Sequence, residues 1–598
     1  MLEKIKQNPA IYLTLKMWQF SEGNRPKVVL YFLMSSGACC VNLCGPLVLA
    51  KWFNEIQQHG VSSQNINYIL SFLLLFLLIT LVSWSLHGPS RIMEQTNGFL
   101  VKANYRKYLF GGIITLPLKW HNEHHTGNTI DKQSKGAVAL GDFSQETFEI
   151  IRMIAQLLGA YGMLIYFNIH AAYIVLVTIL IASTIVIKFD QIIIGHYYQL
   201  NRIENLIAEK IADIINNITT VIILRIENPV LNSIAEKIMS PLKLFEKNNI
   251  LNEIKWCLVS ICTAITNITV LGSFIWVAYK NNTPVLLGSL VALNGYIGAI
   301  NNLFYEFASK YSETVRRRTR VANSEELVND FHLCRKITNG KMPRDWHKLS
   351  IKNLSFSHRS DGEEGNPHLE NISMEIKRGQ RIALIGARGS GKTTFSQVVR
   401  ELYQPTSVTV SVDGQILSKG FTSISSDIAL VPQHPEVFHM SILDNITMYI
   451  DHDIEYVKRF TDMAQFSEVI ERLPKGFNSW INEKGVNLSG GERQSLALAR
   501  GLMACDDKQI ILLDEPTSSV DTMNELAIYQ NIFREFPDKT IISSVHKLHL
   551  LSMFDVIYFF DDGKIIASGT FDELLLNCPR FVEMWQKYNS LELAKTEN

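Results

Sequence analysis

The alternation of apolar and polar positions divides this chain into two halves with different periods. Before residue 310 six apolar stretches follow one another, at about 28–53, 69–88, 149–167, 171–189, 255–278 and 284–307. Each is near the roughly 20 residues with which an α-helix crosses a bilayer, so six spanning helices are expected. Any one stretch alone is compatible with a buried helix of a soluble core, but six in succession argue against that. From about Leu349 short β-rich runs alternate with helical ones, the pattern of an α/β domain. The expected division is a cytosolic segment over 1–27, an all-α six-helix membrane domain over 28–322, a linker over 323–347, and an α/β domain over 348–598.

Positive charge orients the first half. Lys4, Lys6, Lys16, Arg25 and Lys27 precede the first stretch, and the connection 54–68 holds no Lys or Arg, which places the N-terminus inside. The connections 91–148 and 190–254 are basic and therefore cytosolic. Both are long and helically periodic, so the spanning helices are expected to continue beyond the bilayer. The run Arg316-Arg317-Arg318-Thr319-Arg320 reads as an inside anchor near anionic headgroups.

Overall charge excludes one class of partner. With 57 basic and 57 acidic residues the chain has no global field suited to a nucleic acid, and none is expected. The eight cysteines, at 39, 40, 44, 257, 262, 334, 505 and 578, show no metal-ligand or disulfide-framework spacing and read as buried reduced thiols. No charged-then-apolar leader with a cleavage site precedes the first stretch, which is therefore expected to stay as an anchor. The expected location is the cell (inner) membrane, multi-pass, with the α/β half cytoplasmic.

The chemistry lies in the second half. Residues 381–400, RIALIGARGSGKTTFSQVVR, place a buried strand, a glycine loop and an amphipathic helix in the order a phosphate-binding P-loop requires. Gly386, Gly389 and Gly391 let backbone N–H groups turn toward phosphate oxygens, with Ala387, Arg388, Ser390 and Thr394 completing the cradle. Lys392 reaches the β and γ phosphates, and Thr393 supplies a Mg²⁺ ligand. ATP and Mg²⁺ are the expected cofactors. A second apolar strand, 509–515, ends in Asp514 and Glu515 at the edge where α/β sites lie. Asp514 is suited to hold Mg²⁺, and Glu515 to orient and polarise the attacking water.

Between these two motifs lies LSGGE, 488–492, followed by Arg493 and Gln494. This resembles the signature motif of the ABC ATPase family. The resemblance implies that Ser489, Gly490 and Gly491 bind the γ-phosphate of a nucleotide held by a partner's P-loop. The active unit is then a dimer with two shared sites, and because both half-sites look complete a homodimer is expected. Gln433, in Val431-Pro432-Gln433, resembles the Q-loop, which touches Mg²⁺ or water and reports to the membrane half. Residues 518–521, ending in Asp521, resemble the D-loop, and His546 resembles the switch histidine at the γ-phosphate.

Four departures stand out. His358 occupies the place where the family usually has a Tyr stacking on adenine, Phe356 packing inward beside it. Glu492 replaces the commoner Gln, Ser519-Val520 replaces Ala-Leu, and Lys547 replaces Arg after the histidine. None removes a catalytic group, so hydrolysis is expected.

Domain order, the long internal connections and residues 481–485 resemble the exporter branch. Leu116-Pro117, Thr126-Gly127 and residues 218–227 match the approaches to its coupling helices. The resemblance implies ATP-driven export or flipping of a lipid, peptide or drug-like molecule by alternating access. The alternative is an ATP-gated channel or membrane regulator on the same scaffold, against which the intact Glu515 and His546 argue. Nothing in the spans names the cargo. His121, His124 and His125 lack the spacing of a metal site. Asn42, Asn267, Asn294, Asn301 and Asn302 fit hydrogen bonding between helices.

Overall fold

Where apolar runs meet hydrocarbon, every backbone N–H and C=O must find its partner inside the segment, and the first half of the chain is accordingly almost all helix. The structure, a computed structural model, describes residues 8–124, 126–167, 169–333, 340–357, 368–433, 436–481 and 488–596. Internal packing divides the chain into two units, residues 1–116 with 120–334, and residues 117–119 with 335–598.

In the first unit α1 (Pro9–Phe20) is capped by Asn8, whose Oδ1 accepts from Ala10 N at 3.0 Å. It buries Leu13, Met17 and Phe20, so much of the expected N-terminal segment is a packed helix. The first apolar stretch folds as α2 (Arg25–Asn42) and α3 (Gly45–His59), which restarts with Pro46 in its first turn, where a missing N–H costs nothing. There follow α4 (Ile66–Ile113), with Pro89 inside it, α5 (Leu118–Glu123), whose first two residues are grouped with the second unit, α6 (Thr126–Gln145), α7 (Thr147–Phe167) and α8 (Ile169–Asn216). The unit closes with α9 (Ile218–Ile223), α10 (Glu227–Met239), α11 (Leu242–Lys280) and α12 (Leu287–Asn329).

Among the described residues five helical stretches are long and apolar enough to span a membrane, and they cover the first five expected segments. The sixth segment lies on α12 but is not among them. Its apolar residues are diluted by Asn294, Asn301 and Asn302.

Polar contacts tie these helices together. Lys255 on α11 pairs with Asp190 on α8 at 2.9 Å, with side chains 3% and 1% exposed, and Ser312 on α12 donates to the other Asp190 oxygen at 3.3 Å. Asn301 donates to Asn267 at 3.0 Å, a helix-to-helix bond of the expected kind. The arginine run is largely engaged within the unit. Arg317 pairs with Glu146 at 2.8 Å and Glu313 at 2.6 Å, while Arg316 and Arg318 lie over the rings of Tyr197 and Tyr12. The contacts to Glu146, Tyr197 and Tyr12 tie α12 to neighbouring helices, and the one to Glu313 lies within α12.

His124 stacks on Trp120, centroids 4.1 Å apart, and among the described residues no cluster of His, Cys, Asp and Glu could hold a metal; His125 lies outside them. The cysteines at 39, 40, 44, 257, 262, 505 and 578 are free, but Cys40, Cys44 and Cys257 are exposed rather than buried, Cys44 lying in the turn between α2 and α3.

Among the described residues the second unit holds two sheets. An antiparallel one, ordered β2-β1-β4-β5, comprises β1 (Lys348–Phe356), β2 (Leu369–Lys377), β4 (Ser407–Val412) and β5 (Gln415–Ile416). The other, ordered β10-β9-β3-β8-β7-β6, comprises β3 (Arg381–Ile385), β6 (Ile428–Val431), β7 (Ile510–Asp514), β8 (Thr540–Ser544), β9 (Val556–Asp561) and β10 (Lys564–Gly569). Five of its strands run parallel, with β10 antiparallel at one edge. β7 and β8 are buried at every position, as strands covered on both faces must be. Phe356 at the end of β1 is buried and its ring lies 5.6 Å from that of Tyr403, so it packs inward as expected. His358 lies outside the described residues.

Candidate functional site

Four neighbouring parallel strands, β3, β8, β7 and β6, end at one edge of the sheet, and each carries an expected site residue just beyond its last position. The registers Leu384↔Ser544, Asp514↔Ser544 and Val431↔Leu513 align those ends. Thus the glycine loop after β3, His546 after β8, Asp514 and Glu515 at β7, and Gln433 after β6 are brought together by topology, at the carboxyl edge where open α/β sheets bind ligands.

The loop between β3 and the helix Lys392–Val399 needs its glycines. Gly386 has φ +144°, and a Cβ there would lie 2.1 Å from the Phe560 carbonyl oxygen. The loop folds around the Lys392 ammonium, which donates to the carbonyls of Gly386 at 2.8 Å and Ala387 at 3.0 Å. Lys392 is 5% exposed. Burial pushes its pKa down, and the neighbouring carboxylates Glu515 and Asp514 oppose that shift.

Asp514 is buried and accepts from Thr393 Oγ1 at 3.1 Å and Ser544 Oγ at 3.0 Å. Burial raises its pKa and these two hydroxyls pull it back down. The oxygens of Thr393 and Asp514 are the hard donors that Mg²⁺ prefers, and two protein donors beside phosphates suit an ion that takes few protein ligands. Glu515 is held on both sides, Gln433 Nε2 donating to one carboxylate oxygen at 2.5 Å and His546 Nε2 lying 2.5 Å from the other. Its backbone φ is +46°, rare for a residue with a Cβ and typical of strained functional positions.

Ser489 caps the helix Gly490–Ala504 in a capping box. Its Oγ accepts from Glu492 N at 3.2 Å, and its own N–H donates to Glu492 Oε2 at 2.8 Å. Glu492 also meets Arg472. The backbone N–H of Ser489, then Arg472, hold the Glu492 carboxyl below the usual range. Glu at this place therefore does the work of a box residue. A Cβ on Gly491 would lie 3.0 Å from Ser519 O, so helix and D-loop-like turn are in direct contact. Asp521 caps the helix Thr522–Glu535, accepting from Asn524 N at 3.0 Å.

Two residues to which sequence reasoning assigned no role belong to this network. Gln494 donates to Glu515 O and Ser518 Oγ and accepts from Ser519 N. Lys547 donates to Val520 O at 3.0 Å and pairs with the buried Glu525 at 3.0 Å, so the departure from Arg keeps a cation over the turn. Their partners lie far away in sequence, and the one available signal was Gln494, a polar residue at a position the local helix pattern buries.

In the membrane unit a cavity of about 200 Å³ is lined by Asn42, His87, Arg152 and Tyr296 among others. His87, Phe148 and Arg152 also line a second space of about 560 Å³ that Glu306 and Lys310 flank.

A glycine loop of the phosphate-binding kind set beside a pair of strand-end carboxylates, in a chain that also carries helices long and apolar enough to cross a membrane, defines an ABC-type ATPase fold joined to a multi-pass membrane unit. Comparison with known families matches residues 28–305 to the ABC transporter transmembrane region and residues 369–518 to the ABC transporter family. The chain belongs to the ABC transporter family, with the exporter arrangement of membrane region before ATP-binding region.

It is 27% identical over 497 residues to heavy metal tolerance factor 1 of Caenorhabditis elegans, covering 82% of this chain and 61% of that protein. It is 26% identical over 540 residues to the ATP-dependent lipid A-core flippase of Idiomarina loihiensis, covering 86% and 88%. The chain thus spans under two thirds of the first relative's length and most of the second's. A solved bacterial Atm1-family ABC exporter with ATP bound superposes with a TM-score of 0.78 at 21% identity, over 94% of this chain and 98% of that one, which establishes the fold.

Proposed function

We propose that this chain is one subunit of a dimeric exporter that couples ATP hydrolysis to moving or flipping a substrate across a membrane by alternating access. The observation that carries the reading is Glu515, strained at φ +46° and held between Gln433 and His546 beside Asp514. A carboxylate so placed is suited to orient and polarise a water in line with a γ-phosphate.

In this reading residues 386–394 cradle the phosphates of ATP, and Lys392 leaves the loop carbonyls to neutralise the β and γ oxygens. Thr393, Asp514 and Gln433 would hold Mg²⁺, which supplies charge neutralisation on those oxygens when bound. His546 donates to the γ-phosphate, and His358 stacks on adenine. Ser489, Gly490 and Gly491 serve the nucleotide of a second copy of this chain, and Asp521 contributes to the shared site. Because one chain carries one P-loop, a lone subunit is expected to hydrolyse little.

The proposed domain limits are 28–322 for the membrane domain, with α12 as its sixth span, and 348–598 for the ATPase. Basic internal connections support a cytoplasmic ATPase, and the proposed location of the spans is the cell (inner) membrane. The cavities at Arg152 and His87 are the proposed substrate space. A lipid cargo is supported by the flippase relative, while a peptide or drug-like cargo fits the same scaffold.

The test uses purified full-length protein in liposomes. Glu515→Gln is expected to keep ATP binding and lose turnover by orders of magnitude, because the cradle survives while the water loses its base. Near-normal turnover in that variant refutes the assignment.

A further inference from the structure

Gln494 occupies the second turn of the helix that Ser489 caps, and it is 4% exposed. Its amide is almost fully used. Nε2 donates to the Glu515 carbonyl at 3.1 Å and to Ser518 Oγ at 3.0 Å, while Oε1 accepts from Ser519 N at 2.6 Å. Only a neutral amide of this length supplies two donors and an acceptor here. A carboxylate has no donor, Lys and Arg have no acceptor, and Leu offers neither.

The partners are the backbone of the strained turn that aims Glu515 and the first residues of the D-loop-like turn. Both carboxylate oxygens of Glu515 are already engaged by Gln433 and His546, so its carbonyl is the handle through which the helix reaches it. There is no slack in that connection, since the first turn of the same helix touches Ser519 at Gly491. A left-handed, non-glycine turn persists only where its surroundings over-determine it.

We infer that Gln494 is a positioning residue that fixes the Glu515 turn and the following loop to the helix headed by Ser489, so that all three move as one body. This rests on the shared-site dimer proposed above. There Glu515 serves the nucleotide on its own chain and Ser489 serves the nucleotide on the partner's. Each Gln494 then joins two different nucleotide sites through one chain, and it is the mechanical link by which occupancy of one site is felt at the other.

The test compares wild type, Gln494→Leu and Gln494→Glu as full-length protein in liposomes. Equilibrium binding of a fluorescent ATP analogue is measured beside ATPase rate against ATP concentration and pH. In Gln494→Leu the dissociation constant is expected within about twofold of wild type, kcat falling by roughly 10- to 100-fold and the Hill coefficient dropping to about 1.

Gln494→Glu keeps volume and the acceptor for Ser519 N but turns an oxygen against the Glu515 carbonyl. It is expected to be poor near about pH 8, and its rate relative to wild type should recover toward about pH 6 as a protonated carboxyl regains a donor. A packing role alone gives no such recovery. The inference is overturned if ATP binding falls in proportion to turnover, or if Gln494→Glu matches wild type at every pH. Should Gln494→Leu fail to fold, the isosteric Gln494→Glu decides by its pH profile. Full turnover by wild-type monomer with a Hill coefficient of about 1 refutes the shared-site reading instead, and leaves the kcat and pH arms to judge the positioning role.

Discussion

Buried charge is handled differently in the two units. In the ATPase unit Lys392 and Asp514, 5% and 2% exposed, form no ion pair among the described residues; loop carbonyls hold the ammonium and two hydroxyls hold the carboxylate. In the membrane unit Asp190 and Lys255 are buried as deeply, and they meet each other at 2.9 Å. An ion pair closed on itself satisfies its own desolvation cost and offers nothing to a ligand. A buried cation and a buried carboxylate kept apart, each on neutral dipoles, remain free to meet charge brought from outside, which is the usual condition of a functional site.

That contrast predicts opposite responses to deletion. Lys255→Met should strand Asp190 and cost about 3–5 kcal/mol, whereas Lys255→Met combined with Asp190→Leu should recover much of the loss. Thermal melts in detergent measure both, and a neutral Lys255→Met would erase the distinction. Lys392→Ala should leave the melting temperature of the protein unchanged or slightly raised, since it removes a desolvated charge. Its turnover should fall by about a hundredfold or more, because a donor aimed at the transferred phosphate is gone. A variant of normal turnover would show that the unpaired lysine is not poised for phosphate.

The smallest effect concerns Glu492, a charged residue whose partners are supplied by the protein itself. Its folded pKa is depressed by the Ser489 N–H and by Arg472. The stability it contributes is therefore present above the ordinary carboxylate range and is lost as pH falls through the folded value. Wild type should lose up to about 1 kcal/mol on acidification from roughly pH 5 to pH 3, beyond any loss in Glu492→Gln. Denaturation midpoints against pH measure the difference, and parallel curves would remove the capping box from the account.

The site was legible in the sequence wherever its chemistry is local. Gly386 to Thr393 form a phosphate loop within eight consecutive positions, and Asp514-Glu515 close a strand of uninterrupted apolar residues. Gln494, Lys547 and Glu525 escaped because their partners lie 8 to 27 positions away and are met only when β7, β8 and two helices assemble. The arginine run has contacts that composition alone did not show. Composition suggested lipid headgroups, and one of the two acids that hold Arg317 is Glu146, 171 positions earlier. Exposed cysteines such as Cys40 were hidden by the apolar runs around them, since hydrophobic period marks a spanning helix without saying which of its faces meets another helix.

At 1.5 Å per residue a helix of 48 residues is about 72 Å long, and the hydrocarbon core accounts for about 30 Å of it. The remainder of α4 and α8 is a lever arm. A tilt of about 5° sweeps the end of an arm about 40 Å long through roughly 3.5 Å, more than the length of a hydrogen bond, while the apolar segment shifts far less. Pro89 falls just after the apolar stretch of α4, where it removes one backbone bond and crowds the turn before it. The one position along that arm where the chain's own covalent structure favours bending is thus Pro89, at the end of the apolar stretch.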